Sequence, residues 1–460
     1  MQKEDIENLK KLIGSENVLE DKAHLLAYSY DATRLRYEPE AVVFPKGEED
    51  VVAVLRYCNE HKIPVTTRGA GSGFTGGSLP SSGGIVLAMQ RHMNSIVEID
   101  MQNMVARVQP GVINMDLQKA VEEVGLFYPP DPASQDYSTI GGNVSENAGG
   151  MRAAKYGITK DYVMALRAVL PNGDIIRAGK KTIKDVAGFN VAGVLTASEG
   201  SLAVITEITL KLIAKPKMKK TAMGSFPTVH SAMEAVYKTM AAGVTPVAME
   251  FLDRLSINAV ESKFEKGLPK DAGAILITDV DGNSKQELLE QLEVIKSSFE
   301  QNGCDSFEVA ANEQQAEDIW FARRNVSPSL SVYGNKKLNE DITVPRSKLP
   351  QLLQAIDEVA KKYDLNIPCF GHTGDGNVHT NVMVKDGSDP QQLEKGHSAI
   401  KEIFQIAVDL EGTLSGEHGI GLAKAEFMPM AFSSAEIALF KRIKEAFDPN
   451  GILNPNKMGI

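Results

Sequence analysis

The sequence predicts an α+β fold in two large parts, and three observations carry that expectation. In the first half, short strand patterns run straight into glycine-rich loops. At Lys215-Pro-Lys-Met-Lys-Lys220 a basic, proline-containing joint interrupts the pattern. Beyond it, amphipathic helices alternate with strands, which suits one α+β domain with helices covering one face of a mostly antiparallel sheet. The 460 residues suffice for about three ordinary domains or two large ones.

Taken in order, residues 1–36 read as short helices. Ala41–Phe44 is a strand, and Glu48–His61 is a helix with Val51, Val52, Leu55 and Cys58 on one face. Pro64–Thr67 is the next strand and feeds a glycine loop. Strands follow at Ile85–Met89, Ile96–Asp100 and Val105–Gln109, then a helix over Asn114–Val124. Residues 133–160, rich in Gly, Ser, Asn and Thr, read as a long loop with little room for a core. Strands resume at Val163–Leu170, Ile175–Ala178 and Val204–Ile213. After the joint the pattern predicts helices at Val229–Ala242, Lys285–Gln301, Ser347–Tyr363 and Gln391–Leu410. The strands between them are Val247–Leu252, Ala274–Asp279, Asn339–Val344 and Ile367–His372. The expected organisation is 1–36, N-terminal helices; 37–215, a first domain; 216–411, the α+β domain; and 412–460, a C-terminal segment.

Composition bounds the function. With 43% hydrophobic and 24% charged residues the chain is a soluble globular one. A net charge of −11 argues against nucleic acid or an anionic membrane surface as partner. Cys58, Cys304 and Cys369 lie far apart, which suits a reducing, cytoplasmic setting and no iron–sulfur cluster of the chain's own. The first twelve residues are charged and helical in pattern, unlike a signal peptide, and no run of 18 apolar residues predicts a membrane span.

Three glycine loops point to a cofactor. Six of the eleven residues from Thr67 to Gly77 are glycine or alanine, and such a loop presents consecutive backbone N–H groups to an anion. No Gly-Lys-Ser/Thr follows, so it is not a P-loop. No regular helix and no acidic strand end follow either, so it is not the dinucleotide fingerprint. A second loop, Ser138–Gly150, and a third, Ser198–Leu202, make a large diphosphate-bearing cofactor the natural ligand.

Two further stretches hold the strongest chemistry: Gly371-His-Thr-Gly-Asp-Gly-Asn-Val-His379 and Ser415-Gly-Glu-His-Gly-Ile-Gly421. Strand-like flanks and Asp375-Gly376 predict a hairpin with a two-residue turn. Counting back from that turn sets His372 opposite His379, with Asn377 and Asn381 on the same face. Two imidazoles so placed can share a divalent metal, and Glu417, in a glycine-rich loop, could add a carboxylate.

The three loops in this order resemble the flavin domain of the vanillyl-alcohol-oxidase/p-cresol-methylhydroxylase (PCMH) superfamily. Combined with the two histidine motifs, the chain from about Glu40 to Lys457 resembles the FAD-linked D-2-hydroxyacid dehydrogenases: D-lactate dehydrogenase, the catalytic D subunit of glycolate oxidase, and D-2-hydroxyglutarate dehydrogenase. The resemblance implies a PCMH-type FAD-binding domain, an α+β cap over the substrate, and a C-terminal segment that completes the active site. It implies FAD bound by Arg68, Gly69, Ala70, Gly71, Ser72, Gly73, Thr75 and Gly76 at the diphosphate. Pro130, Ser134, Thr139, Gly141, Gly142 and Asn147 are implied along the flavin, and Glu199, Gly200 and Ile205 toward the adenine. Ser72 stands where members with covalent flavin often carry His, which implies non-covalent FAD. His372, His379 and Glu417 match the ligands of one divalent ion (Zn, Fe, Mn or Co). His418 matches the catalytic base, and Arg323 the arginine that clamps the substrate carboxylate, with Asn381 also at the substrate.

The implied reaction is oxidation of a small D-2-hydroxyacid, lactate or glycolate, to the 2-oxoacid, with hydride to flavin. Electrons pass on to a quinone or an acceptor protein, such as an iron–sulfur or electron-transfer flavoprotein subunit. That partner could also hold the chain at the inner membrane face, and a homodimer is expected. Asn339 stands where hydroxyglutarate members tend to carry lysine, which favours a small substrate, although Lys336 and Lys337 are close by. The alternatives are D-2-hydroxyglutarate oxidation and a flavin transferase like alkyl-glycerone-phosphate synthase.

Overall fold

The computed structural model describes residues 1–460. The chain divides into two compact units. The first comprises Met1–Gly149, Ile158–Lys215 and Glu417–Ile460; the second comprises Gly150–Gly157 and Pro216–Gly416.

In the first unit, strands β1 (Val18–Leu19), β2 (Ala41–Val43), β3 (Val65–Arg68) and β4 (Ile85–Ala88) form a sheet in the order β1-β2-β4-β3. β2 and β3 both run parallel to β4, and the helix Glu48–His61 makes the crossover between them. That helix buries Val51, Val54, Leu55 and Cys58. The inward position is Val54 rather than Val52, because the face tilts toward the i+3, i+4 neighbours of Val51. Full burial of a side chain such as Leu55 stabilises the unit by about 1.5–3 kcal/mol.

A second sheet is antiparallel. It contains β5 (Ile96–Asp100), β6 (Val105–Val108), β8 (Val163–Val169), β9 (Ile175–Gly179) and β10 (Val204–Lys211), in the order β5-β6-β10-β8-β9. A short pair, β7 (Leu126–Phe127) with β11 (Ile213–Ala214), flanks it. Residues 133–160 are not the coreless loop that their composition suggests. Ile140–Glu146 is a helix whose Ile140 and Val144 enter the core of the five-stranded sheet. Thr139 caps it by accepting from the Gly142 amide at 3.2 Å, and Asn147 ends it at φ 56°. Gly141 hides this helix from a propensity reading, yet glycine is needed there: a Cβ would lie 2.6 Å from Pro110 Cβ.

The second unit holds one seven-stranded sheet. Its strands are β12 (Met218–Phe226), β13 (Ala248–Asp253), β14 (Ala274–Gly282), β15 (Ser306–Val309), β16 (Lys336–Thr343), β17 (Cys369–His372) and β18 (Asn377–Val384). The order is β15-β12-β14-β13-β17-β18-β16, and every pairing is antiparallel. The basic joint is shorter than its lysines suggest. Met218–Lys220 already belong to β12, where Lys219 pairs with Asp279 at 2.9 Å. Helices Val229–Ala241, Lys285–Gln301, Leu349–Tyr363 and Pro390–Asp409 lie on one face. The helices Arg254–Phe264 and Glu313–Arg324, absent from the sequence expectation, pack on part of the other face through Ile257, Val260, Ile319 and Trp320. The first follows β13 with no glycine or proline between and starts on the Asp253 cap; the second is too polar to display an apolar stripe. Residues Gly150–Gly157, although they interrupt the first unit, fold with the second. Lys155 ion-pairs with Asp281, the Tyr156 hydroxyl donates to Asp281 at 2.7 Å, and Met151 joins the apolar cluster.

No helix is long and apolar enough to cross a membrane.

Candidate active site

One face of the seven-stranded sheet becomes polar at its β13-β17-β18-β16 end. Glu250 on β13 sits opposite His372 on β17, and Asp341 on β16 sits opposite His379 on β18. Directly opposed residues share a face, so Glu250, His372, His379 and Asp341 form one row across four strands. Asn377, Asn381 and Asn339 extend it by the period of two. Glu250, Asp341 and Asn381 are fully buried, and His372 and His379 nearly so.

The hairpin register differs from the expected one. β17 ends at His372 and β18 begins at Asn377, so four residues turn the chain rather than two. Phe370 is the residue opposite His379, and His372 is displaced by two. A slip of two keeps every side chain on its face, whereas a slip of one would have buried the imidazoles on opposite sides. The two rings are therefore diagonal neighbours, and their Nε2 atoms stand 3.3 Å apart.

The surroundings orient these rings. His372 Nδ1 lies 2.7 Å from Glu250 Oε1. A carboxylate only accepts, so Nδ1 donates and Nε2 is the nitrogen that faces His379. Arg323 Nε donates to Glu250 Oε2 at 2.6 Å, and its guanidinium lies 4.7 Å over the Phe370 ring. Burial pushes the Glu250 carboxyl up, but the His372 and Arg323 charges and hydrogen bonds outweigh that and hold it below its ordinary value. Arg324 instead turns outward to the exposed Glu317.

This donor set fits a metal ion. Two nitrogens bound at about 2.05 Å with tetrahedral angles lie about 3.3 Å apart. Asn377 Oδ1, Asn381 Oδ1 and Thr343 Oγ1 are buried on or beside this face without a protein partner. The Asn381 amide is turned by its own bonds, Nδ2 donating to His379 O and Pro368 O at 3.2 and 3.3 Å. The chain reaches the same face at Gly416, whose N–H donates to Asp341 Oδ2 at 2.9 Å. A Cβ at Gly416 would be 2.7 Å from Asn377 Nδ2, so only glycine passes here. Glu417 is the next residue.

The first unit carries a separate cleft. Gly69, Ala70, Gly71, Ser72 and Gly73 form one wall; Ser134, Thr139, Gly141 and Gly142 form another, with Glu199, Gly200 and Ile205 beyond. Arg68, Thr75, Gly76, Pro130 and Asn147 do not line it. The Arg68 guanidinium points away, donating to Tyr30 O at 2.8 Å and Ser78 Oγ at 3.2 Å. Pro130 O accepts from Gln118 at 2.9 Å, and Pro132, two residues on, reaches the cleft. Thr75 O instead accepts the Leu422 and Ala423 amides, at 2.7 and 3.0 Å. Asn147 Oδ1 accepts from the Lys160 amide.

The cleft fits a flat cofactor with hydrogen-bonding edges. Glycine at 69 is required, since a Cβ would lie 2.1 Å from Thr139 Oγ1. Phe74 and Tyr137 line it while 45% and 54% exposed, as rings awaiting a partner would be. Thr67 Oγ1, Asn143 Nδ2 and Glu146 Oε2 are buried, unpartnered, and belong to lining residues. Sequence reasoning missed Glu146, although it lies inside the second glycine loop. Glu417 and His418 also line this cleft, with the His418 ring 5.1 Å from Phe74 and its Nε2 4.0 Å from Glu417 Oε1.

A cleft lined by glycine loops in one unit and an antiparallel sheet with a buried histidine pair in the other are what a flavoprotein would need, and comparison with known proteins gives that class. The family described as FAD linked oxidases, C-terminal domain, matches residues 215–458, and the FAD binding domain family matches 39–179. The chain belongs to the FAD-linked oxidase family and is an FAD-dependent oxidoreductase acting on a hydroxyl group. It is 42% identical over 453 residues to glycolate oxidase subunit GlcD of Bacillus subtilis (strain 168), covering 98% of this chain and 96% of that one. It is 33% identical to D-lactate dehydrogenase of Anaerostipes hadrus, over 98% of this chain and 94% of the relative. Its fold matches that of p-cresol methylhydroxylase with a TM-score of 0.81 at 18% identity, over 99% and 96% of the two chains.

Proposed function

We propose that this protein oxidises a small D-2-hydroxyacid, D-lactate or glycolate, to the 2-oxoacid. FAD is held non-covalently, one divalent ion sits on His372, His379 and Glu417, and the electrons go to a separate acceptor. The observation that carries the reading is the His372–His379 pair: two buried nitrogens 3.3 Å apart, one oriented by Glu250. Covalent continuity from Gly416, anchored on Asp341, makes Glu417 the natural carboxylate ligand. Ser72 offers no nitrogen for a covalent flavin link.

When bound, FAD supplies the electron-accepting ring and the divalent ion the charge that acidifies a hydroxyl. This chain's own residues do the rest. His418 takes the hydroxyl proton, a task suited to imidazole near neutral pH. Arg323 spends Nε on Glu250, which leaves its two terminal nitrogens for a carboxylate. Asn381 and Asn377 keep buried carbonyl oxygens for the substrate or ion.

Segment 180–190 supports a protein acceptor. Ile183, Val186 and Phe189 are 96%, 98% and 97% exposed beside Lys180 and Lys184. Apolar side chains so bare are ordinarily covered by a partner, and the lysines suit one with an acidic rim. A second reading, D-2-hydroxyglutarate as substrate, is favoured by Lys337. It shares the face of Asn339 and Asp341 and bonds Ser327 Oγ at 2.5 Å.

The test is anaerobic bleaching of the bound flavin by D- and L-lactate, glycolate and D-2-hydroxyglutarate, followed by reoxidation. D-lactate or glycolate should bleach at least ten times faster than L-lactate and D-2-hydroxyglutarate, and a two-electron dye should restore the colour much faster than air. Preferential bleaching by the L-acid, or no bleaching by any of them, overturns the reading.

A further inference from the structure

Two buried carboxyls of the first unit meet at the turn after His418, and neither is needed for the chemistry above. Glu199 accepts from two consecutive amides of that turn, Ile420 N–H at 2.7 Å and Gly421 N–H at 2.8 Å. Glu146 meets the same turn at Gly419. A Cβ at Gly419 would lie 2.4 Å from Glu146 Oε2 and 3.0 Å from Glu199 Oε1, and a Cβ at Gly77 would lie 2.5 Å from Glu146 Oε1. The Glu146 carboxyl is thus wedged between the first glycine loop and Gly419. Beyond the turn, Thr75 O takes the Leu422 and Ala423 amides, and the Thr75 hydroxyl donates to His418 O at 3.4 Å.

The two carboxyls differ in kind. Burial raises both, and the neighbouring Glu199 charge adds to the effect on Glu146, while Lys457 opposes it. Glu199 receives two N–H bonds, which favour its carboxylate, whereas Glu146 Oε2 has none. Of the two, Glu199 is therefore the better placed to carry the charge.

We propose that Glu146 is a positioning residue for His418: its carboxyl, packed beside Glu199 against Gly419, holds the turn that aims the imidazole into the cofactor cleft. This rests on His418 being the base. The turn has positive φ at Gly419 (89°) and Gly421 (51°), which glycine adopts freely, so the backbone by itself does not fix the path and packing must. Glu199 grips it through hydrogen bonds and Glu146 by filling the space between Gly77 and Gly419.

The experiment compares Glu146→Gln with Glu146→Ala in the FAD-loaded protein, by hydrogen exchange of residues 417–423 and by stopped-flow bleaching. Glu146→Ala should speed exchange of the Ile420 and Gly421 amides at least tenfold. It should slow bleaching about 10- to 100-fold at near-constant KM, the scale of a misplacement of about 1 Å. FAD content is measured on the same samples. Glu146→Gln, neutral and of the same shape, should recover most of both. In a double-mutant cycle, Gly419→Ala should cost less in the Glu146→Ala background, where the methyl has room. Unchanged exchange in Glu146→Ala overturns the proposal whatever the substrate is. So does loss of FAD with unchanged exchange, which would make Glu146 a cofactor contact. If Glu146→Gln fails as badly as Glu146→Ala, an ionised carboxylate is required and the positioning role is wrong. Faster exchange with undisturbed bleaching would instead remove His418 as the base.

Discussion

His379 and His418 carry the same ring, and their surroundings give them different work. His379 lies in a sheet, 7% exposed, with its Nε2 against another imidazole. His418 lies in a glycine turn beside Phe74, lining the cofactor cleft. His418→Ala is expected to keep the metal and to slow flavin reduction by about 10²–10⁴-fold, the usual span for a general base. His379→Ala is expected to lose the metal as well, because the paired nitrogens are broken. Metal analysis beside stopped-flow bleaching checks this; a metal-free His418→Ala with a fully loaded His379→Ala would exchange the two roles. Neighbouring Arg323 and Arg324 follow the same logic. One turns in to a fully buried carboxylate and the other out to an exposed one, a distinction that spacing from Trp320 alone could not make.

At the scale of elements, the C-terminal tail does more than end the chain. Val65 N–H donates to Ile452 O and Asn454 N–H to Val65 O, both at 2.8 Å, so the tail lies along β3. The Asn454 amide then ties Gly77 O to Glu199 O. Lys457 follows, 1% exposed, donating to Leu79 O at 2.8 Å. Burial pushes its pKa down to about 8, against the pull of Glu199, Asp31 and Glu146. The sign follows from proton counting. Between about pH 8 and 10.5 the unfolded chain keeps this proton and the folded one has lost it, so stability from this group rises with pH in that window. Below pH 8 both forms hold the proton and the cost of burying the charge is fully present. Chemical denaturation from pH 7.5 to 10 should therefore show the wild type gaining stability relative to Lys457→Met, by up to about 3 kcal/mol. A difference that stays flat or shrinks with pH would place the lysine outside this account.

At the scale of the whole molecule, the cofactor cleft belongs to one unit and the histidine pair to the other. Removing the metal should therefore leave FAD in place. Chelation is expected to abolish substrate bleaching and keep the yellow colour, and acid precipitation is expected to release all of that colour into the supernatant. Loss of FAD in step with the metal, or colour in the pellet, would show that these two attachments are not as proposed.

Much of the architecture was legible in the chain. The helices Glu48–His61 and Lys285–Gln301 stand where periodicity puts them, because each buries a stripe that local spacing records, and the strand Ile96–Asp100 stands where its β-branched residues put it although it is only partly buried. The glycine loops and both histidine motifs announced a cofactor cleft and an imidazole pair, since glycine and histidine are costly to place without a reason. The parity of the hairpin was also readable, and parity alone put both imidazoles on one face. Its register was not, for turn length depends on how Thr373–Gly376 pack rather than on Asp375-Gly376 alone. Nor could the sequence tell that Glu250, 122 residues from His372, orients that ring, or that Glu146 and Glu199 meet at Gly419. Those partners lie on strands and loops far apart in the chain, and a hydrogen bond between distant residues leaves no local period to read. Sequence determined the elements and the kinds of group available; only the tertiary structure decided which groups touch.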